Sequence, residues 1–259
     1  PVSAQEAYVH NLNSDQSDKL RWHSQNEFEV NGCRFTIDLT PGSKRRVSTE
    51  NNFTIVKTRK FLGAYVDIPL AENANILELG IFQGGSLVFM ERLFKPRKIV
   101  GVDLSKTPVD ALETYKGAHP SVATYYGVSQ DDPKALKAII DTEFGGEIDM
   151  VVDDASHLYE QTRASFEITF PYLKRGGYYV IEDWAWSFKP PHQTSASSWY
   201  NKPAMVNLIY QLIGDIASNH AIESMFIQEN LAIIRKGTSA SARPPLEIRN
   251  YRNRKVKLI

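Results

Sequence analysis

Cysteine is nearly missing from these 259 residues: Cys33 stands alone, so no internal disulfide can staple the fold. A reducing compartment suits such a chain, and the single thiol reads as a small buried apolar residue. No apolar run approaches the roughly 20 residues that span a bilayer, and the opening PVSAQEAYVH lacks the basic-then-apolar layout of a signal peptide. The expectation is a soluble, cytoplasmic protein with no membrane partner. Excess charge is lacking too, because 30 Lys and Arg residues cancel 30 Asp and Glu residues. No overall field gathers nucleic acid or an anionic surface, so neither is expected as a partner. Internal repeats and low-complexity tracts are absent, which leaves one large α/β domain with appendages as the simplest division of this length.

What is present is an alternation. From Asn75 onward the β-rich runs NILELG, KIVGVDL, ATYYGVS, IDMVVDDA and GYYVIEDW are separated by helical stretches near Ser86 to Leu93, Pro108 to Ala118, Pro133 to Thr142 and His157 to Leu173. Such alternation marks a parallel sheet wound with crossover helices. Pro133 suits a first helical turn, and Gly176 with Gly177 suits a stop before the next strand. The segment MFIQENLAIIRKG then offers two apolar runs with only Gln228, Glu229 and Asn230 between them. No crossover helix fits in that gap, so these two strands must pair antiparallel. The fold class is therefore α/β: a Rossmann-like, doubly wound sheet, mostly parallel, with a terminal antiparallel hairpin.

Flanking segments divide around that core. Residues 1–60 read as a polar, irregular appendage or lid, with a helical candidate near Ala4 to Asn11 and a strand-like pair around Glu27 to Asp38. Residues 61–240 form the core domain, and residues 241–259 a basic tail. Within the core, Trp184 to Pro203 is rich in Trp, Ser and Pro, has no clear period, and reads as a loop beside the site. Ala204 to Asn219 then looks helical.

The chemistry concentrates in VVDDASH and IED. His157 follows Asp154 by three residues, and Glu182 and Asp183 follow it by twenty-eight and twenty-nine, each cluster closing a strand-like run. Carboxylates repel one another, so gathering them beside a histidine is unfavourable unless a cation or a reaction offsets the repulsion. Asp153 and Asp154 must face opposite ways on one strand, and only one of them can enter the site. Taken singly, each acid could cap a helix or pair with Arg163 or Lys174. His10, His23, His119, His192 and His220 have no such company and read as structural or surface residues, although His192 sits in the loop.

A second constellation lies at ELGIFQGGS. A dinucleotide fingerprint needs glycine two residues after the first, yet Phe82 occupies that place after Gly80, which disfavours a diphosphate. Gly80, Gly84 and Gly85 still make a tight turn into a helix, suited to a small zwitterionic ligand close to the backbone. Asp103, about twenty residues on, is where an acidic side chain accepts ribose hydroxyls. Ser129, Gln130 and Asp131 in GVSQDDP either hydrogen-bond an adenine edge or simply form a capped turn before Pro133. The rings of Trp184, Trp186, Phe188, Trp199 and Tyr200 suit sugars, phenols, polyketides or prenyl chains alike.

Together the ELGIFQGGS turn, Asp103, DDASH and IED resemble a class I S-adenosylmethionine-dependent methyltransferase of the metal-dependent kind. More narrowly, they resemble the macrolide sugar O-methyltransferases of macrocin and mycinamicin biosynthesis, with their cephalosporin-hydroxylase and rhamnosyl O-methyltransferase relatives. The likeness runs from Asn75 to Gly237 and is strongest over VVDDASH and VIED; Trp184 to Trp186 and GVSQDDP depart from the macrolide enzymes. The resemblance implies Asp154, Glu182 and Asp183 as metal ligands, and His157, working with Asp154, as general base. It implies cofactor contacts from Glu78, Gly80 and Asp103; Gln83, Gly84, Gly85 and Ser86 of the glycine turn and Ser129, Gln130 and Asp131 join them as candidates, while Asp153 faces either the sheet interior or the cofactor. Three oxygen donors without cysteine favour magnesium, with manganese and calcium as alternatives. The implied function is methylation of a hydroxyl on a natural-product sugar or similar small molecule, by a homo-oligomer. The alternatives are carbon or nitrogen methylation, or a non-methylating accessory protein on the same scaffold.

Overall fold

The computed structural model describes residues 19–218 and 221–238, together with two short paired segments, Arg252–Asn253 and Val256–Lys257. The helical candidate near Ala4 to Asn11 and most of the basic tail lie outside the described residues, as do His10 and His220. The chain divides into two units, each taken by itself: Pro1–Ala74 with Ile81–Ile99 and Thr107–Ala123, and Asn75–Gly80 with Val100–Lys106 and Thr124–Ile259.

In the first unit, β1 (Arg21–Trp22), β2 (Glu27–Val30), β3 (Cys33–Ile37) and β4 (Phe53–Ile55) form one sheet in that order. Asn31 and Gly32 sit at φ 45° and 80° between β2 and β3, the left-handed pair that a tight hairpin turn requires. Strand alternation then sends Phe28, Phe35 and Phe53 inward. Three helices belong to this unit: α1 (Arg59–Val66), α2 (Gly85–Phe94) and α3 (Asp110–Ala118). Phe89 of α2 meets Phe28, Phe35 and Tyr65 edge-on at ring separations of 6.1, 6.0 and 6.3 Å. Each such ring contributes about 1.5–3 kcal/mol by leaving water. The strand-like pair expected around Glu27 to Asp38 is present as β2 and β3, and β1 and β4 extend it into a sheet with apolar residues packed beneath, more regular than the sequence of residues 19–60 suggested. Cys33 is buried in it, and burial pushes its thiol up to about 11.

The second unit is built on a seven-stranded sheet. Its strands are β5 (Asn75–Leu79), β6 (Lys98–Asp103), β7 (Val122–Tyr126), β8 (Ile148–Asp153), β9 (Leu173–Glu182), β10 (Ile222–Gln228) and β11 (Leu231–Lys236), in the order β10-β11-β9-β8-β5-β6-β7. β5, β8 and β9 run parallel, while β11 lies antiparallel between β9 and β10. The terminal hairpin takes the form that the short gap at 228–230 demanded. Helices α4 (Pro133–Phe144), α5 (Tyr159–Thr169) and α6 (Val206–Ser218) belong to this unit. Asp132 caps α4 by accepting from the amides of Lys134 and Ala135 at 3.0 and 3.1 Å, with Pro133 in the first turn.

Gly176 and Gly177 do not precede a strand; β9 begins at Leu173 and runs through them with a register shift against β8. A Cβ on Gly177 would stand 2.7 Å from the Asp149 carbonyl, so close strand approach accounts for the glycine. Strand order reverses around β5 and β8, which places the crevice for a ligand at their carboxyl ends. No helix among the described residues is long and apolar enough to cross a membrane.

Candidate active site

Asp154 and Asp183 each stand one residue beyond a strand end. The Asp154 amide still donates to the Leu79 carbonyl at 2.9 Å, and the Asp183 amide donates to the Asn230 carbonyl at 2.7 Å. Asp154 is thus pinned by the end of β5 and Asp183 by the turn between β10 and β11. Asp183 and His157 adopt left-handed backbone, φ 56° and 54°, which non-glycine residues hold only where the surroundings enforce it. These conformations bring one donor atom each from Asp154, His157 and Asp183 within 4.8 Å of one another. His157 Nε2 lies 3.9 Å from Asp154 Oδ1 and 3.9 Å from Asp183 Oδ2, an electrostatic rather than a hydrogen-bonding separation.

Burial raises the Asp183 carboxyl above its usual range, the Asp154 charge raises it further, and His157 opposes both. A cation between the two carboxylates would relieve the same repulsion, and their oxygens suit a hard divalent ion, which leaves the His157 nitrogen beside them. Glu182, expected as a third carboxylate ligand, is not among the three grouped residues; it is 3% exposed at the end of β9. Pleating sends adjacent residues to opposite sides, and the left-handed turn at Asp183 gives that position the site.

Asp153 points the other way, as pleating requires. It accepts from Gln130 Nε2 at 3.0 and 3.2 Å, from Tyr179 Oη at 3.2 Å, and from Ser165 Oγ. Its burial pushes the carboxyl up to about 7 against those hydrogen bonds. Gln130 spends its other end on the Ser156 amide, 2.9 Å away. Of the two directions expected for Asp153, it takes the one into the protein, and both ends of the Gln130 carboxamide are hydrogen-bonded there too. Ser165, Tyr179 and Ser156 carried no motif by which sequence reasoning could have found them.

Ser129 Oγ donates to Asp131, and the Asp103 carboxylate accepts the Ser105 amide at 2.7 Å, so both turns are capped. Asp103 remains part-exposed, whereas Glu78 is fully buried on β5. Gly80, at φ 99°, sits so close to the Asp154 carbonyl that a Cβ would fall 2.3 Å from the oxygen. In the other unit, Gly84 at φ 77° caps α2, which begins with Gly85 and Ser86. A Cβ on Gly85 would lie 2.0 Å from the Thr54 carbonyl. Gln83 is held by Ser48, whose amide and hydroxyl donate to its side-chain and backbone oxygens at 3.2 and 2.7 Å.

Beside His157 lies a cavity of about 170 Å³, lined among others by Trp186, His192, Trp199, Tyr200 and Met205. Trp186 packs on the His157 ring at 4.6 Å. Trp186, His192 and Trp199 are mutually near-parallel at 5.1 to 5.5 Å, so His192, expected as a structural or surface residue of the loop, stacks in the cavity wall. Trp184 faces elsewhere, donating through Nε1 to the Gln228 carbonyl at 3.0 Å and anchoring the loop to the hairpin. His23 stands near Glu29, and His119 stacks on Tyr115.

A sheet in this order, with a glycine turn at the end of β5, is the class I methyltransferase fold, and residues 77–184 match the family model described as a methyltransferase domain. Among curated proteins, the chain is 34% identical over 122 residues to L-olivosyl-oleandolide 3-O-methyltransferase of Streptomyces antibioticus, a match covering 44% of this chain and 29% of that protein. It is 29% identical over 191 residues to 8-demethyl-8-(2-methoxy-alpha-L-rhamnosyl)-tetracenomycin-C 3'-O-methyltransferase of Streptomyces olivaceus, covering 66% and 46%. A solved structure of the MycE methyltransferase from the mycinamycin biosynthetic pathway, in complex with Mg, SAH and mycinamycin VI, matches with a TM-score of 0.52 at 26% identity, over 71% of this chain and 49% of that one. The chain spans about half the length of these relatives, or less.

Proposed function

We propose that this chain methylates a hydroxyl on a natural-product sugar, with S-adenosylmethionine as methyl donor, a divalent cation, magnesium first, at Asp154 and Asp183, and His157 as general base. The observation that carries the reading is the convergence of Asp154, His157 and Asp183 within 4.8 Å beside the aromatic cavity. The relatives act on olivosyl and rhamnosyl groups by name, and one was crystallised with Mg and SAH, which supports the same substrate class and cofactors here.

When bound, the cation supplies Lewis acidity toward the acceptor hydroxyl, and S-adenosylmethionine supplies an already activated methyl group. The protein's own work is positioning and deprotonation. His157 Nε2 lies beside both carboxylates and takes the hydroxyl proton, and the negative charges stabilise the imidazolium that results. Trp186 restrains the imidazole ring, while Trp199 and His192 present flat apolar faces that exclude water from one side. On the cofactor side, Asp103 and Gly80 at the ends of β6 and β5 fit the ribose and the backbone approach.

Methyl transfer from labelled S-adenosylmethionine to rhamnosyl- and olivosyl-bearing polyketides, with and without chelator, tests this. Turnover that stops in chelator and returns with magnesium is expected. Full turnover in chelator would remove the metal from the reading, and no cofactor binding by calorimetry would end it. A methyl group recovered on carbon or nitrogen would transfer the site to a different acceptor chemistry.

A further inference from the structure

We infer that Gln130 is the positioning residue of this site: its carboxamide locks the turn that carries Asp154 and His157, and touches no ligand itself. The inference rests on the roles given to those two residues above, but is carried by separate observations. Residues 154–158 lie between β8 and α5, outside any helix or strand. Midway between donor and base, the Ser156 amide donates to Gln130 Oε1 at 2.9 Å. One residue later, His157 holds its left-handed backbone at φ 54°, a conformation that an untethered turn would relax.

The other end of Gln130 is anchored. Its Nε2 donates to both Asp153 oxygens and lies 3.3 Å from Ser165 Oγ, while Asp153 is held in turn by Ser165 and Tyr179. Gln130 is 6% exposed, Asp153 2%, and Ser165 and Tyr179 are fully buried. A carboxamide suits this place because it presents a donor to the carboxylate and an acceptor to the amide at once. A flipped carboxamide would set oxygen against carboxylate and nitrogen against an N–H. The orientation is thereby specified, and it links the β7–α4 turn to the turn bearing the base.

Amide hydrogen exchange on the full chain tests this directly. In the wild type the Ser156 amide is expected to exchange slowly despite lying outside helix and strand, and rapid exchange there would overturn the inference. Gln130→Met keeps the length of the side chain and removes its hydrogen bonds to Ser156, Asp153 and Ser165. It is expected to speed exchange in residues 154–158 at least tenfold and to weaken manganese binding by about tenfold, as loss of a residue supporting metal ligands does. S-adenosylhomocysteine affinity should stay within twofold. The reverse pattern, weakened cofactor with metal affinity and exchange unchanged, would make Gln130 a cofactor contact and refute its positioning role. If the variant fails to fold, the wild-type amide still decides. None of these readouts needs turnover, so an inactive wild type would end the proposed activity while leaving this inference to its own test.

Discussion

Gly80 and the Asp154 carbonyl are in backbone contact: a methyl group on Gly80 would stand 2.3 Å from that oxygen. The glycine at the end of β5 is therefore what lets Asp154, the first residue of the proposed metal site, approach the neighbouring strand, quite apart from any ligand. Its φ of 99° adds a second reason, since side-chain-bearing residues rarely adopt it. Gly80→Ala is expected to destabilise the protein by about 3 kcal/mol or more through overpacking and backbone strain together. Thermal unfolding checks the first effect. Manganese titration checks the second, because a displaced Asp154 should weaken metal binding even in the fraction that folds.

His157→Ala separates chemistry from binding. Removing a general base costs about 10²–10⁴-fold in rate. The predicted outcome is a fall in kcat of that size with S-adenosylmethionine affinity unchanged by calorimetry. A variant that turned over within threefold of wild type would show that the imidazole belongs to the donor cluster only.

Much of this was legible in the residues because it depends on periodicity. The strands from Asn75 onward announce themselves by apolar runs, and the gap at Gln228 to Asn230 dictated the antiparallel pairing found. Asp154 and Asp183 were legible as strand-end carboxylates. Glu182 was not separable from Asp183, because which of two adjacent acids enters a site depends on a left-handed turn that no motif announces. In the first sixty residues the pair β2 and β3 was legible around Glu27 to Asp38, but β1 and β4 were not: they are short, and the core shared with Phe89 is made by contacts distant in the chain. Gln130 read as an adenine contact because a polar side chain at a strand end looks the same whether it faces a ligand or a buried aspartate.

Asp215 on α6 gives a pH prediction. The residue is fully buried, and burial pushes its carboxyl up to about 6 from 3.8. Above pH 3.8 the unfolded chain has released this proton while the folded one retains it, so stability falls as pH rises through that interval. The penalty is fully present above about 6. Asp215→Asn should therefore raise the melting temperature at pH 8, by about 2–4 °C for each kcal/mol relieved, and change it little at pH 4. An equal shift at both pH values would mean that the carboxyl's charge is not what the substitution removes.

Trp186 and Trp199 line the same cavity but stand at different distances from the base, 4.6 and 6.5 Å from the His157 ring. That difference should appear in kinetics. On the proposed reading, Trp199→Ala removes an aromatic face offered to the acceptor without restraining the imidazole, so KM for the acceptor should rise roughly tenfold, the equivalent of about 1.4 kcal/mol of lost apolar contact, with kcat near wild type. Trp186→Ala removes both the face and the packing on His157, so KM should rise and kcat fall together. Steady-state kinetics on one glycosylated acceptor distinguish the two. If Trp199→Ala lowered kcat alone, the cavity would be part of the catalytic scaffold and the acceptor would have to be sought on another face of the loop.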